Sequence, residues 1–371
     1  MKILILDSYA DAFLTFRKAL IQEMLTKNHD VIACAPDAST ELQNTLLSMG
    51  MQYQHVTIER TGLNPIKDIQ SILNLRAVFK KMKPDMVLGY TIKPVIYGSI
   101  AGKFARVPSN YAMITGLGYA FTGKNLKSRG VNTIVRALYR LSMKYNHKIF
   151  FHNPDDLKYF ESLKIITEKQ GVGVNGSGVN IRSFTPVPFP ETISFLLIAR
   201  LIKDKGIQEY AEAARRLKQK YPHVTFRLVG WIDNANPASV SENELDLWVA
   251  KGIIEYLGKL SDVRPAIAAS SVYVLPSYYR EGTPLSILEA LAMGRPVITT
   301  DASGCRETVQ HGQNGVLVPV KDVPALAAAM EHFIRHPELI EPMGQRSRQI
   351  AVDKYDVRKV NAVILKTMGL D

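Results

Sequence analysis

The chain has 371 residues, enough for two domains that each bury a core of their own. Hydrophobic residues make up 46% of it and charged residues 22%, which excludes both a disordered chain and a polytopic membrane protein. The formal charge of +12 is uneven: residues 1–190 hold 24 Lys and Arg against 13 Asp and Glu, whereas residues 191–371 hold 22 against 21. The first apolar run, Ile3 to Leu6, is far too short to span a bilayer, and no cleavage-type signal follows it, so a cytoplasmic location is expected. Cys34 and Cys305 stand in no CxxC or Cys/His spacing. They read as small buried hydrophobes in a reducing compartment, without a structural zinc site.

Along the chain, β-branched runs alternate with helical patterns: KILILD (2–7), DVIACAP (30–36), DMVLGY (85–90), NYAMIT (110–115) and KIFFHN (148–153). Their near-continuous apolarity predicts parallel strands covered on both faces. From Met86 to Pro154 there is no Asp or Glu but there are ten basic residues. Arg136, Arg140, Lys144 and Lys148 recur every fourth residue and predict one basic stripe on a helix, with Ile134, Leu138 and Leu141 among the apolar residues beside it. Such a stripe suits an anionic bilayer surface. The alternatives are a solvated face on a packed helix or, third, nucleic acid, for which no helix-turn-helix, RNP-type or zinc module is present. The Gly-, Pro- and Ser-dense segment 171–190 predicts an interdomain hinge. A second series follows: SFLLIAR (194–200), VTFRLVG (224–230), GIIEYLG (252–258), SVYVLPS (271–277), RPVITTD (295–301) and GVLVPV (315–320). The expectation is two doubly wound α/β domains, 1–175 and 185–350, facing a cleft. A C-terminal helical segment, 351–371, is expected to return to the first domain. Ligands in such sheets bind outside the carboxyl ends of the strands.

The residues that can carry chemistry fall at those ends. Thr283 followed by Pro284 predicts a helix opening after SVYVLPS, whose free amides and dipole form a phosphate seat. Glu281 precedes that helix and Glu289 lies inside it, two carboxylates at different depths that can take hydroxyl groups from different parts of one ligand. Arg200 at a strand end and Lys205 at the next helix start can both reach one diphosphate, stabilising a leaving group that develops negative charge. Gly230, ending LVG, lets backbone approach a ligand.

Arg200 and Lys205 within RLIKDKG, Gly230, YLGKLSD (256–262) and EGTPLSILEA with its Glu-x7-Glu spacing resemble the retaining glycosyltransferases of family 4 over nearly the whole chain. The resemblance implies the GT-B architecture of two Rossmann-like domains and transfer from a nucleotide sugar. It implies that Glu281 contacts the donor sugar, Glu289 the ribose, Arg200 and Lys205 the diphosphate, and that Gly282, Thr283, Pro284 and Leu285 meet phosphate and sugar through backbone. TIKPVIYGSIAGKFARVP (91–108) and ITGLGYAFTG (114–123) are similar to the bacterial branch that adds HexNAc to polyprenyl-diphosphate-linked sugars. This implies a UDP-sugar donor, a membrane-embedded acceptor and an enzyme peripheral at the inner face of the cytoplasmic membrane. Acceptor contacts then fall on Arg17, Lys93, Thr115, Gly116 and Gly118.

The chain departs from the family in two places. DSYADAFLTFR (7–17) has no glycine after the first strand, leaving Ser8 and Arg17 as the candidates there. Thr115, before GLG, cannot act as a general base at neutral pH, which fits a retaining transfer in which the departing phosphate takes the acceptor proton. No Asp-x-Asp occurs, so Arg200 and Lys205 are expected to replace a metal, with no cofactor. The histidines, including His147, His152 and His311, form no HxxH or HExxH pattern and are assigned to structure. A dehydrogenase would need GxGxxG after the first strand. A nucleotide-sugar 2-epimerase of the same fold would need acid/base residues at the sugar carbon, and a catalytically dead basic membrane adaptor would have lost members of the Arg, Lys and Glu set.

Overall fold

Apolar runs with no polar alternation become parallel strands because helices cover both faces of each sheet. The computed structural model describes residues 1–59, 64–118, 126–233, 236 and 238–371, with backbone alone for 126–129. These form two units, residues 1–177 with 357–371, and residues 178–356. No helix among the described residues is long and apolar enough to cross a membrane.

The first unit holds β1 (Lys2–Leu6), β2 (Asp30–Ala35), β3 (Gln52–His55), β4 (Met86–Tyr90), β5 (Ser109–Ile114), β6 (Lys148–Phe151) and β7 (Gly171–Gly173). The all-parallel order is β3-β2-β1-β4-β5-β6-β7, with Ile3 registered between Val31 and Met86. Alternate residues of β1 feed two cores. Ile3 and Ile5 pack with α1 (Lys18–Thr26), α2 (Thr40–Ser48) and α13 (Val357–Met368). Leu4 and Leu6 pack with α3 (Pro65–Met82), α4 (Ile92–Ala105), α5 (Leu126–Met143) and α6 (Pro154–Ser162).

The basic stripe does not form. α5 ends at Met143, Lys144 lies in the following turn and Lys148 opens β6, so only Arg136 and Arg140 share a helix face. Both turn to α6: Arg136 donates to the Tyr159 hydroxyl, and Arg140 donates to the Leu163 carbonyl at 2.8 Å. The segment expected to be a hinge is also partly sheet, since Gly171–Gly173 pairs with β6 as an edge strand. Lys124, and with it the GLG-following segment 119–125, lies outside the described residues, as do the side chains of Lys127 and Arg129.

The second unit holds β8 (Ser194–Ile198), β9 (Thr225–Val229), β10 (Glu255–Tyr256), β11 (Val272–Leu275), β12 (Val297–Thr300) and β13 (Gly315–Val318), all parallel in the order β10-β9-β8-β11-β12-β13. Around it lie α7 (Ile207–Lys220), α8 (Glu242–Ala250), α9 (Arg264–Ala268), α10 (Leu285–Ala292), α11 (Val323–Arg335) and α12 (Ile340–Lys354). Residues 181–189 are tied down rather than free. Arg295, 1% exposed, donates to the carbonyls of Val187 at 3.0 Å and Pro188 at 3.2 Å, with its guanidinium 4.4 Å from the Phe189 ring centre. Arg348 donates to those of Ile181 at 3.0 Å and Phe184 at 2.8 Å. The chain leaves this unit at Asp356 rather than at 351, so α12 stays with it and α13 alone joins the first unit, where Asn361 donates to Glu23 at 2.9 Å.

Candidate active site

In a doubly wound sheet the chain reverses direction at one pair of neighbouring strands, and the loops there part to leave a crevice. In the second unit that pair is β8 and β11. Arg200 and Lys205 follow the first strand, and Glu281 follows the second. Lys205 donates to Glu281, both side chains nearly buried at 12 and 13% exposure, and Ser277 donates to the other carboxylate oxygen at 2.8 Å. The turn carrying Lys205 is locked by Gly206, at φ +75°, where a Cβ would stand 2.2 Å from the Pro276 carbonyl oxygen. Its Asp204 carbonyl accepts the amides of Tyr278 and Tyr279 at 2.9 Å each, fastening the β8 loop to the β11 loop. Lys205 also lies 5.6 Å from the centre of the Tyr279 ring. Burial raises the Tyr279 phenol above its ordinary range, with the Arg200 guanidinium acting against the shift. Arg200 is half-buried and pairs with Asp233 at 3.1 Å.

The helix after β11 opens one residue later than the sequence suggests. Leu285 is the first residue of α10, and Pro284 at φ −65° and ψ 121° is its N-cap, with no side-chain cap. Thr283 is therefore not the cap; it is buried together with Gly282 and Pro284. Ile287 and Leu288 already donate to the Pro284 carbonyl at 3.2 and 3.3 Å, so the Leu285 and Ser286 amides are the first-turn donors left to bind an anion. Gly304 presses on this loop from behind: a Cβ there would lie 2.1 Å from the Gly282 carbonyl oxygen. Glu289 sits in the second turn of α10. Burial, and secondarily the charge of Asp262, push its pKa up to about 8, so at neutral pH it is largely protonated and can donate as well as accept. Gly230 follows β9 and stands where a Cβ would be 1.9 Å from the Ala199 carbonyl oxygen; its own carbonyl takes the Tyr256 hydroxyl at 2.9 Å.

In the first unit the reversal lies between β1 and β4. Ser8, after β1, shares a 3.0 Å hydrogen bond with Thr91, after β4, and Thr91 is held at φ +65°, a strained conformation for a β-branched residue. Arg17 is 6% exposed, paired with Asp7 at 3.3 Å and stacked 3.9 Å from the Tyr90 ring centre, so its charge is already engaged. Lys93, in the first turn of α4, pairs with Asp68 of α3 at 2.9 Å. Thr115, Gly116 and Gly118 emerge from the carboxyl end of β5, the two glycines at φ +117° and +58°. His152 is buried, and that burial, with Arg17 nearby, lowers its pKa to about 3 and keeps it neutral.

The structure thus gathers Arg200, Lys205, Glu281 and the start of α10 at the β8–β11 reversal of the second unit, and adds Asp233, Ser277, Tyr279 and Gly304. Ser277 was visible as the end of the SVYVLPS run; Asp233 and Gly304 carry no local signal.

The family "Glycosyl transferase 4-like" matches residues 2–153, and "Glycosyl transferases group 1" matches residues 192–336. The chain belongs to the family 4 type of glycosyltransferase. It is 27% identical over 355 residues to the N,N'-diacetylbacillosaminyl-diphospho-undecaprenol alpha-1,3-N-acetylgalactosaminyltransferase of Campylobacter jejuni, covering 92% of this chain and 91% of that one. It is also 27% identical to the UDP-Gal:alpha-D-GlcNAc-diphosphoundecaprenol alpha-1,3-galactosyltransferase of Escherichia coli, covering 80 and 78%. Among solved structures, Anabaena Alr3699/HepE in complex with UDP matches over 100% of both chains with a TM-score of 0.79 at 18% identity. This glycosyltransferase therefore has the GT-B fold, and the two family matches divide as the units do.

Proposed function

We propose that this glycosyltransferase moves a HexNAc residue, with retention, from a UDP-sugar to a saccharide carried on a polyprenyl diphosphate, as a peripheral enzyme at the inner face of the cytoplasmic membrane. The observation that carries this reading is the Arg200, Lys205 and Glu281 cluster at the reversal point of the second unit, beside the open N-terminus of α10. It is supported by similarity along nearly the full chain to the Campylobacter enzyme, whose name states both a diphospho-undecaprenol acceptor and GalNAc transfer. In the proposed reaction Arg200 and Lys205 exchange part of their contact with Asp233 and Glu281 for the β-phosphate. They stabilise the charge that grows there as the anomeric C–O bond breaks. Glu281, held by Ser277 and Lys205, is positioned to take sugar hydroxyls, and Glu289 to take the ribose. The acceptor oxygen bonds to the anomeric carbon on the face the phosphate leaves, and its proton passes to the departing phosphate oxygen, which needs no protein base. Two cations on the diphosphate remove the need for a metal, consistent with the lack of an Asp-x-Asp motif.

The test is a donor screen with UDP- and GDP-sugars and a polyprenyl-diphospho-sugar acceptor, reading nucleotide release and, by NMR, the anomeric configuration formed. An α-linked HexNAc product from a UDP donor is expected. Interconversion of UDP-sugars without acceptor would replace the reading with the 2-epimerase, and an inverted linkage would remove the retaining step.

A further inference from the structure

The outward face of α3 carries a line of large apolar residues beside the exposed Lys67, Gln70 and Asn74. Ile66, Ile69 and Leu73 keep the i, i+3, i+7 spacing and are 70, 59 and 57% exposed, while Leu75 and Phe79 on the opposite side fill the core. A helix apolar on two faces needs cover on both. The exposed line continues into the cation Lys80, and Arg76 donates to the carbonyl of Phe104 on α4, itself 59% exposed. Lys80, Lys103 and Arg106 are exposed and have no ion-pair partner among the described residues. Residues 64–154 contain 15 Lys and Arg and only two acids, Asp68 and Asp85. Asp68 is already taken by Lys93, and Asp85 accepts the Lys2 amide at 2.7 Å. The Asp68–Lys93 pair also fastens the apolar first turn of α3 to the first turn of α4, at the carboxyl-end edge of the sheet where Thr115 and Gly116 emerge.

We propose that the outer face of α3 docks on an anionic bilayer, with Ile66, Ile69 and Leu73 entering the boundary between headgroups and acyl chains and Arg76, Lys80 and Lys103 meeting lipid phosphate. A second copy of the chain is a poorer occupant, because a two-fold contact through this face would set its unpaired cations against themselves. The proposal rests on the lipid-linked acceptor read above. It explains how the first unit reaches a substrate that cannot leave the membrane, and it replaces the α5 stripe as the docking element.

The experiment is flotation with vesicles of phosphatidylglycerol and phosphatidylethanolamine, and with neutral phosphatidylcholine vesicles, across a salt series. Wild type should float with the anionic vesicles and lose binding as salt rises. Ile66→Ser, Ile69→Ser and Leu73→Ser combined should lower partitioning by about tenfold or more, with circular dichroism and UDP affinity unchanged. Arg76→Gln, Lys80→Gln and Lys103→Gln combined leave the apolar line intact and should remove the salt dependence, which keeps the test decisive if the serine variant misfolds. Equal flotation of wild type and either folded variant overturns the proposal, as does a sedimentation-detected dimer abolished by the serine changes. Flotation without transfer to any polyprenyl acceptor would sink the proposed reaction and leave the docking face standing.

Discussion

Lys205 and Glu281 neutralise each other in a nearly dry pair, so each holds the other in place. Lys205→Ala and Arg200→Ala should each lower kcat by about 10² or more, because each removes a preorganised charge from the leaving group. Steady-state kinetics on variants with unchanged circular dichroism check this, and near wild-type turnover would remove that residue from the site. Glu289 makes a separate prediction. Folded, it keeps its proton up to about pH 8, whereas the ordinary carboxyl has lost it by about 4.5. Between those values the native state binds more protons than the unfolded one, so Glu289 makes stability fall as pH rises from about 5 to about 8. Glu289→Gln should flatten that part of the profile, making the variant relatively more stable at pH 8 than at pH 5, while Glu289→Ala, which removes the proposed ribose contact, should weaken binding of UDP. Denaturant titrations at several pH values and calorimetry with UDP measure the two effects. An unchanged slope would mean that Glu289 titrates normally.

At the scale of elements, the tight loops after β8 and β11 do what no single side chain can. Gly206 lets the turn lie against Pro276, Asp204 receives two amides, and Gly304 backs the Gly282 loop, so the cations and α10 are held in one geometry. The same logic governs Arg295, whose guanidinium satisfies the carbonyls of Ile267, Ala268, Val187 and Pro188 in a buried position. Arg295→Met should cost about 3 kcal/mol or more, since it leaves several buried acceptors without donors. Urea denaturation would show it, and a loss below about 1 kcal/mol would mean that water takes over those carbonyls. The Gly/Pro-rich segment read as a hinge contains the boundary between the units, at 177/178, and its ends are held on either side of it, by the β7 edge strand and by Arg295 and Arg348.

For the whole molecule, the division into units makes a folding prediction. Residues 178–356 are continuous in sequence and contain every proposed donor contact together with their own core. This fragment should melt cooperatively alone and bind UDP within about threefold of the full chain, since no donor group lies outside it. Calorimetry on the isolated fragment checks that, and loss of UDP binding by a folded fragment would mean that the other unit supplies donor contacts. Residues 1–177 by themselves lack α13, whose Val360, Ile364, Leu365 and Met368 are at most 3% exposed. Without these four side chains the core around Ile3 and Leu20 opens to water, and the fragment should aggregate.

The two-domain α/β plan and the strands inside each sheet were legible in the residues, because buried parallel strands must be apolar along their length, as KILILD and SFLLIAR are. Arg200, Lys205, Glu281 and Glu289 stood out as candidates at strand and helix ends, but their separate donor-site roles came only from the resemblance to family 4, because local spacing alone does not tell such charges from surface ones. The edge strands β3 and β7 were not legible: QYQH and GVG are half-exposed and need no apolar run. Packing alone shows that Arg17 is engaged with Asp7, that Ser277 and Asp233 lie with Glu281 and Arg200, and that Arg136 and Lys148 share no helix face. Each of those facts depends on which distant segment lies alongside, and a four-residue period carries no information about where a helix stops. The exposed line on α3 was hidden for the same reason. Ile66, Ile69 and Leu73 look like core residues until the neighbours that occupy the other face of the helix are known.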